Sequence, residues 1–492
     1  MAIQAVLLVA SAYYVLAYVG VALARLSYPF ELEWLEGAAL DQVLRVLRGE
    51  AMYAAPSLAY VPLNYAPLYF WASALVAQVA GTDFLALRLL SVASSLAVFW
   101  FIHDLVWRER HSRLAALAGV GLFAATYRLG GAWLDLARAD SFALAILLGG
   151  VWALRAGERD MAAGIVAGLL FVLAFMAKQS SATSVAPLVV WTLAVNWRRG
   201  VPLLATVGIA GAIAVLSTNA ATGGWFGYYA FDVARRHSMD MSLLMNFPIG
   251  DLARHFWPGM SVLVVSAIWN RRWWWSRPGG FHLSLLAGLI GTSWLLRLYR
   301  GGYDNVLMTA HAGLSIAVGL AMSRWSDAMP PGTKGRRLLL AGLCGAMVVQ
   351  LGILGWDPMK QLPTTADRAG WQKMVEGLSA MPGEVLVSSH PYVARLAGKP
   401  PLAHVMPFMD VVKGADGPVE AGLLRDMRGA LSAHRYSVLV LDNRDWLSDE
   451  ALRAGYRFRA RVFPGPEVGW PVTGMHTRPE WILTPGGRET VP

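Results

Sequence analysis

A polytopic all-α membrane domain followed by a small soluble α/β domain is the architecture this sequence predicts, and three observations predict it. Of the 492 residues, 56% are hydrophobic and only 15% are charged, a balance typical of chains that lie largely in lipid. The charges are scarce from Ala2 to Trp356 and common after Thr364. The apolar residues fall into runs that suit about 11 transmembrane helices, several of them shorter than the ~20 residues a perpendicular helix needs. Arginine clusters punctuate every second loop between them. The expected domains are 1–360 and 364–492.

The spans are expected near 2–24, 85–106, 114–129, 140–156, 161–178, 182–195, 201–220, 256–270, 281–297, 305–323 and 338–356. The first, Ala2 to Ala24, carries no charge. Its Ala22-Leu23-Ala24 resembles a signal-peptide cleavage site, but a basic n-region is missing and the apolar run exceeds the usual h-region. It therefore reads as a retained membrane helix. The clusters Arg108/Arg110/Arg113, Arg155/Arg159, Arg198/Arg199, Arg271/Arg272/Arg277 and Arg324/Lys334/Arg336/Arg337 occupy alternate loops. If those loops are cytoplasmic, the N-terminus lies inside and the C-terminal domain outside the cytoplasmic membrane. The segment 67–80 would break this alternation as a span. It is short, begins at Pro67 and suits a helix lying in the outer interface.

The lone Cys344 in an apolar run supplies neither a disulfide framework nor a cysteine metal site. A formal charge of +10 does not indicate nucleic acid, because no basic face is interleaved with aromatics. Membrane topology accounts for the arginines.

On this map the remaining polar residues gather on the outer side. The first outer loop, 25–66, holds Glu31, Glu33 and Glu36, followed by the aromatic-proline segment Tyr60 to Trp71. Glutamates at a membrane mouth are costly without partners or work. Glu33, Glu36 and Leu40 fall at helical spacing, so a helix starting near residue 33 would set both glutamates on one face. A carboxylate there would accept the proton of an attacking hydroxyl. Flanking Trp34, Phe30 and Leu35 would raise its pKa, and nearby arginines would lower it. Arg88, Arg138 with Asp140, Lys178 with Gln179, Arg235/Arg236/His237 and the stretch Arg297 to Asn305 complete the set. Arginine forks and lysine point charges suit phosphate oxygens. Arg235 and Arg236 read better as interfacial anchors. A divalent metal would bridge carboxylate and phosphate, yet the sequence has no ligand-spaced histidine cluster. His311 alone in an apolar helix reads as a hydrogen-bonded core residue. Metal dependence stays open, and no other cofactor is called for.

These segments, in this order, resemble the GT-C superfamily of membrane glycosyltransferases. The likeness covers about 1–325 and is carried by the acidic loop Glu31 to Gly37, Leu47-Arg48-Gly49-Glu50, Tyr65-Ala66-Pro67-Leu68-Tyr69 and Leu87-Arg88-Leu89-Leu90-Ser91. It continues in Ala137-Arg138-Ala139-Asp140, Ala174 to Gln179 and Gly301-Gly302-Tyr303-Asp304-Asn305. The chain is similar to the bacterial branch of lipid A aminoarabinose transferases, protein O-mannosyltransferases and Rgt-type lipopolysaccharide transferases. The resemblance implies an inverting hexosyl or pentosyl transfer from a polyprenyl-phosphate sugar to a lipid, glycan or protein acceptor outside the membrane. It implies that the first-loop acid, here Glu33 or Glu36, is the base, although the family more often has Asp. Arg88 matches the family's phosphate-holding arginine, with Lys178 and Arg138 as further donor-phosphate candidates. Tyr65, Asp140, Arg300 and Asn305 are additional site candidates. The lipid A branch carries an acid and a lysine where this chain has Asn64 and Tyr65.

After Thr364, helices expected at 366–380 and 420–434 alternate with strands Glu384 to Ser389 and Tyr436 to Asp442, a pattern of small α/β sheet domains. Ser388-Ser389-His390-Pro391 reads as a structural turn. The domain is expected to cover the outer cavity or to position the acceptor. A transporter or flippase for lipid-linked sugars or small molecules is the alternative from another class. It would carry internal repeats and broken helices meeting at mid-membrane, and no convincing repeat is present. A membrane scaffold is a third reading, against which the acidic loop stands.

Overall fold

The computed structural model describes residues 2–325, 333–413, 417–463 and 465–486. Each expected span coincides with a helix. In order these are α1 (Ala2–Arg25), α4 (Phe84–Arg110), α5 (Arg113–Ala125), α6 (Ala139–Ala156), α7 (Asp160–Ala177), α8 (Ser181–Val195) and α9 (Trp197–Ala221). They are followed by α10 (Arg254–Trp269), α11 (Arg277–Arg297), α12 (Met308–Arg324) and α13 (Lys334–Ile353). Between α1 and α4 lie α2 (Glu36–Leu47) and α3 (Leu68–Ala80). Among the described residues, eight helices are long and apolar enough to cross a membrane, while α3, α5 and α8 are apolar but shorter. The span expected to reach 129 stops at Ala125, because the chain turns through Gly131 at φ 76°.

Local chemistry sets several boundaries. Asp83 caps α4 by accepting the Leu85 N–H, and Ser112 caps α5 by accepting that of Ala115. On α7, a side chain at Gly164 or Gly168 would collide with the Arg199 carbonyl or Thr206 of α9. Glycine at this four-residue spacing lets two membrane helices approach closely. Most of α9 otherwise faces outward, with only Gly200 and Leu203 buried. α12 is the reverse, buried along nearly all its length. On α3, Trp71, Leu75 and Val79 form an exposed apolar stripe at four-residue steps, while Tyr69, Phe70, Ser73, Ala74 and Ala77 are buried.

The arginine loops meet at one end of the bundle. Glu109 at the end of α4 receives Arg155 of α6 at 2.6 Å, His282 of α11 at 3.0 Å and Arg324 of α12 at 3.0 Å. His311 departs from expectation. It is fully buried beside Phe256, and neither ring nitrogen has a partner among the described residues.

The tail opens with a capping box, Thr364 with Asp367, at the start of α14 (Thr365–Ala380). Strands β1 (Glu384–Val387), β2 (Tyr436–Leu441), β3 (Tyr456–Arg461) and β4 (Trp481–Pro485) form one sheet in the order β1-β2-β4-β3. β1 and β2 pair parallel, and the other two pairings are antiparallel. The helices are α15 (Pro391–Leu396), α16 (Val405–Val412), α17 (Pro418–Ser432) and α18 (Trp446–Arg453). The tail shares core with the helical bundle, as where Trp371 stacks on Phe30 of the first loop. Arg236, expected as an interfacial anchor, instead joins Glu420 of the tail at 2.6 Å, while Arg235 stays exposed beside Asp232.

Candidate active site

The first loop is wound around one guanidinium. Arg88, four residues into α4, donates Nε and Nη2 to the two oxygens of Glu36, at 3.0 and 2.7 Å. Nη2 also reaches the Phe30 carbonyl at 2.8 Å, and Nη1 reaches those of Tyr28 at 2.6 Å and Arg25 at 3.3 Å. These five bonds account for all five N–H donors of an arginine. Arg88 and Glu36 are both wholly buried. In this arrangement all of its donors are taken within the protein. It organises the loop.

Glu36 is equally engaged. Besides Arg88 it accepts the Ala137 N–H at 2.7 Å and the Leu32 N–H at 2.7 Å. Burial works to raise its pKa, but Arg88 and the two amides outweigh it and hold the carboxyl below its ordinary range. A carboxylate this well satisfied is a poor proton acceptor, which favours Glu33 over Glu36 as the base. The helix begins at Glu36 rather than near 33, and the two side chains turn to different cations.

Glu33 has the opposite environment. It is fully buried, and its Oε2 accepts the Leu35 N–H at 3.2 Å and Arg138 Nη1 at 3.3 Å. Its Oε1 has no partner among the described residues. Burial drives the pKa up to about 8 against the pull of Arg138, with Glu36 pushing the same way as burial. Arg138 also donates to the Tyr65 hydroxyl at 3.0 Å and lies over the rings of Tyr65 and Trp133. The turn at Tyr65 is thus joined to the acidic loop through Arg138.

A second polar group adjoins the first. Lys178 at the end of α7 reaches Asp140 Oδ1 at 2.5 Å, and Asn305 donates to the same oxygen at 2.8 Å. Asp140 stands two residues beyond Arg138, in the first turn of α6. Gln179 donates to the Asn64 carbonyl at 2.9 Å, tying the aromatic-proline segment to this cluster. Lys178, Asp140, Asn305, Ser181, Ser184 and Thr309 line a narrow cavity of about 20 Å³. Arg300 is not brought in. It is exposed and faces Asp240.

The tail supplies the part that sequence reasoning missed. His390 Nδ1 meets Glu31 Oε2 at 2.5 Å and its Nε2 meets Asp442 Oδ2 at 3.2 Å, all three side chains buried. Burial opposes a charge on this imidazole, but the two carboxylates prevail and raise its pKa to about 10. Glu31 Oε1 in turn accepts the Gly37 N–H at 3.0 Å. The Thr473 N–H bonds the Leu32 carbonyl at 3.2 Å, and a Cβ on Gly474 would meet Glu33 Cγ at 2.5 Å. The loop joining β3 to β4 therefore lies directly on Glu33. Ser388 to Pro391, read as a plain turn, carries the histidine that clamps the first loop. Its position after a strand end was the available signal.

The three glutamates answer three different cations, and among the described residues no group of three or more His, Cys, Asp or Glu is arranged to hold a metal. Residues 64–221 match the family described as dolichyl-phosphate-mannose-protein mannosyltransferase. The fold is similar to that of ArnT from Cupriavidus metallidurans bound to undecaprenyl phosphate, with TM-score 0.59 and 13% identity over 97% of this chain and 99% of that one. The apo state of ArnT from the same organism gives 0.56 and 13%, over 97% and 100%. At this identity the likeness is one of fold. The fold is also similar to that of the oligosaccharyltransferase AglB from Archaeoglobus fulgidus, in complex with an inhibitory peptide and a dolichol-phosphate. There the TM-score is 0.52 and identity 13%, over 87% of this chain and 69% of that one. No curated protein sequence matches it.

Proposed function

We propose that this protein is a GT-C glycosyltransferase that transfers a sugar from a polyprenyl-phosphate donor to an acceptor hydroxyl at the outer face of the cytoplasmic membrane, with Glu33 as general base. The observation that carries the reading is Glu33 itself, a buried first-loop carboxylate with one oxygen unpartnered among the described residues and a pKa lifted toward the working range of a base. In the step, the acceptor O–H gives its proton to Glu33 as its oxygen bonds to the anomeric carbon. The bond from that carbon to phosphate breaks on the opposite side, and polyprenyl phosphate departs with inversion. Arg138 adjoins Glu33, Lys178 pairs with Asp140 two residues beyond Arg138, and both cations would stabilise the leaving phosphate. The bound undecaprenyl phosphate of ArnT and dolichol-phosphate of AglB support a lipid-phosphate donor. Hexosyl and pentosyl donors both fit, in the making of a cell-envelope glycan, lipopolysaccharide included.

The test is turnover by Glu33→Gln with lipid-linked sugar isolated from membranes of the deletion host. A positioned base contributes about 10²–10⁴-fold. The variant should lose activity on that scale while still binding donor. Full activity in Glu33→Gln would remove this reading.

A further inference from the structure

One end of the tail sheet faces the candidate site. β1 pairs parallel with β2, and Leu441 of β2 and Arg461 of β3 both stand opposite Trp481 of β4. The carboxyl ends of β1, β2 and β3 therefore share one end. There β1 runs into His390, β2 into Asp442, and β3 into the loop whose Gly474 rests on Glu33. Ligands of α/β sheets commonly bind at this end of the strands.

Arg444 and Arg461 stand at the same end. The guanidinium carbon of Arg444 lies 4.7 Å from the ring centres of both Phe458 and Trp481, and that of Arg461 lies 5.1 Å from Trp481. Both arginines are exposed, and neither side chain has a hydrogen-bond or ion-pair partner among the described residues. Four other arginines of the tail are answered by its carboxylates: Arg428 and Arg453 by Glu450, Arg435 by Glu384, Arg478 by Glu480. Two guanidiniums held against one indole repel each other. The ring faces offset part of that repulsion, and an anion would offset the rest. Protection of an edge strand by charge accounts for Arg457 and Arg459 on β3. It does not account for Arg444, which lies outside any strand.

We propose that Arg444 and Arg461 bind an anionic group, carboxylate or phosphate, on a glycan acceptor. Planar guanidiniums pre-set on aromatic rings present forked donors to such oxyanions with little freedom left to lose. An acceptor held there would lie beside the loop that covers Glu33. This inference rests on the reading of Glu33 as base and names the acceptor class for it.

The experiment uses the full chain in phosphatidylcholine nanodiscs, titrated calorimetrically with trigalacturonate, with mannose 6-phosphate and with maltotriose as the neutral control. At least one acidic probe should bind tenfold or more tightly than maltotriose and weaken with salt. The double variant Arg444→Ser/Arg461→Ser should lose that binding at least tenfold, and Arg457→Ser should keep it. The proposal is overturned if neither acidic probe exceeds maltotriose, or if the double variant binds as the parent does. It is equally overturned if the two arginines matter only for association with phosphatidylglycerol vesicles, which would make the patch a membrane contact. Glu33→Gln should bind the acidic probe normally. If Glu33→Gln keeps full turnover, the base assignment falls while probe binding still judges the patch.

Discussion

Glu33 and Glu36 are three residues apart, equally buried, and chemically opposed. Four hydrogen bonds, two of them from Arg88, hold Glu36 ionised, whereas Glu33 has an oxygen without a partner among the described residues and a pKa near 8. The shift has a consequence for stability. An unfolded chain releases the Glu33 proton near 4.5, and the folded chain retains it until about 8. The unfolded state thus binds fewer protons across that window, so this group lowers stability as pH rises from 4.5 to 8. Glu33→Gln removes the penalty. Its thermal midpoint should match the parent's at pH 5 and exceed it increasingly toward pH 8.5. A gap that is constant with pH would show that Glu33 ionises normally. Arg88 is tested differently. Arg88→Ala strands a buried carboxylate and three loop carbonyls, and breaking such a pair costs about 3–5 kcal/mol. The expected result is a large fall in thermal midpoint and, in Arg88→Lys, a fall in kcat with donor KM little changed. A donor KM that rises while stability holds would place Arg88 at the donor phosphate.

Elements show where the chain could be read and where it could not. Hydrophobic runs reveal helices because apolarity is local, and all eleven expected segments coincide with helices. The start of α2 was misplaced because Glu36 is drawn to Arg88, 52 positions away, and no short window contains that partner. β3 escaped because arginines occupy alternate positions in Tyr456-Arg457-Phe458-Arg459-Ala460-Arg461, so its period-two signal rests on few apolar residues. The Glu31–His390 contact joins residues 359 positions apart, so the strand-end position of His390 marks a site without naming its partner. Those elements meet where substitutions should be felt. At Gly37, a Cβ would collide with Glu31 Oε1 and Tyr392 Cβ. Gly474 has φ 85° and no room beside Glu33. Gly474→Ala is therefore expected to reduce turnover and stability together, while Gly49→Ala, also at positive φ but in open space, should cost only the backbone strain of about 1 kcal/mol. The clamp itself titrates. His390 ionises near 10 in the folded chain and near 6.5 when unfolded, so its contribution is full below 6.5 and is lost as pH rises through 10. Amide exchange in 30–37 should accelerate above pH 9, after correction for intrinsic rates, and in His390→Asn it should be fast at every pH.

At the scale of the whole molecule, two ends of one bundle carry different chemistry. Glu109 gathers Arg155, His282 and Arg324 at one end, where the arginine loops lie. Glu33, Lys178 and the tail occupy the other. Arginine-rich loops mark the cytoplasmic side of a membrane protein, so we expect the tail and Glu33 to be extracytoplasmic, with α3 lying in the outer interface. Because Gly474 rests on Glu33 and Thr473 bonds Leu32, tail and candidate site share a side whichever side it is. One measurement therefore places both. Alkaline phosphatase fused after Gly377 should be active, and fusions after Arg159 or Arg272 should be silent. Green fluorescent protein at the same three points should give the reverse pattern. If the Gly377 fusion is active only as the cytoplasmic reporter, the orientation is inverted. A donor would then have to be met on the inner leaflet. In that case the proton transfer to Glu33 would stand, and the outer-face assignment of the reaction would not.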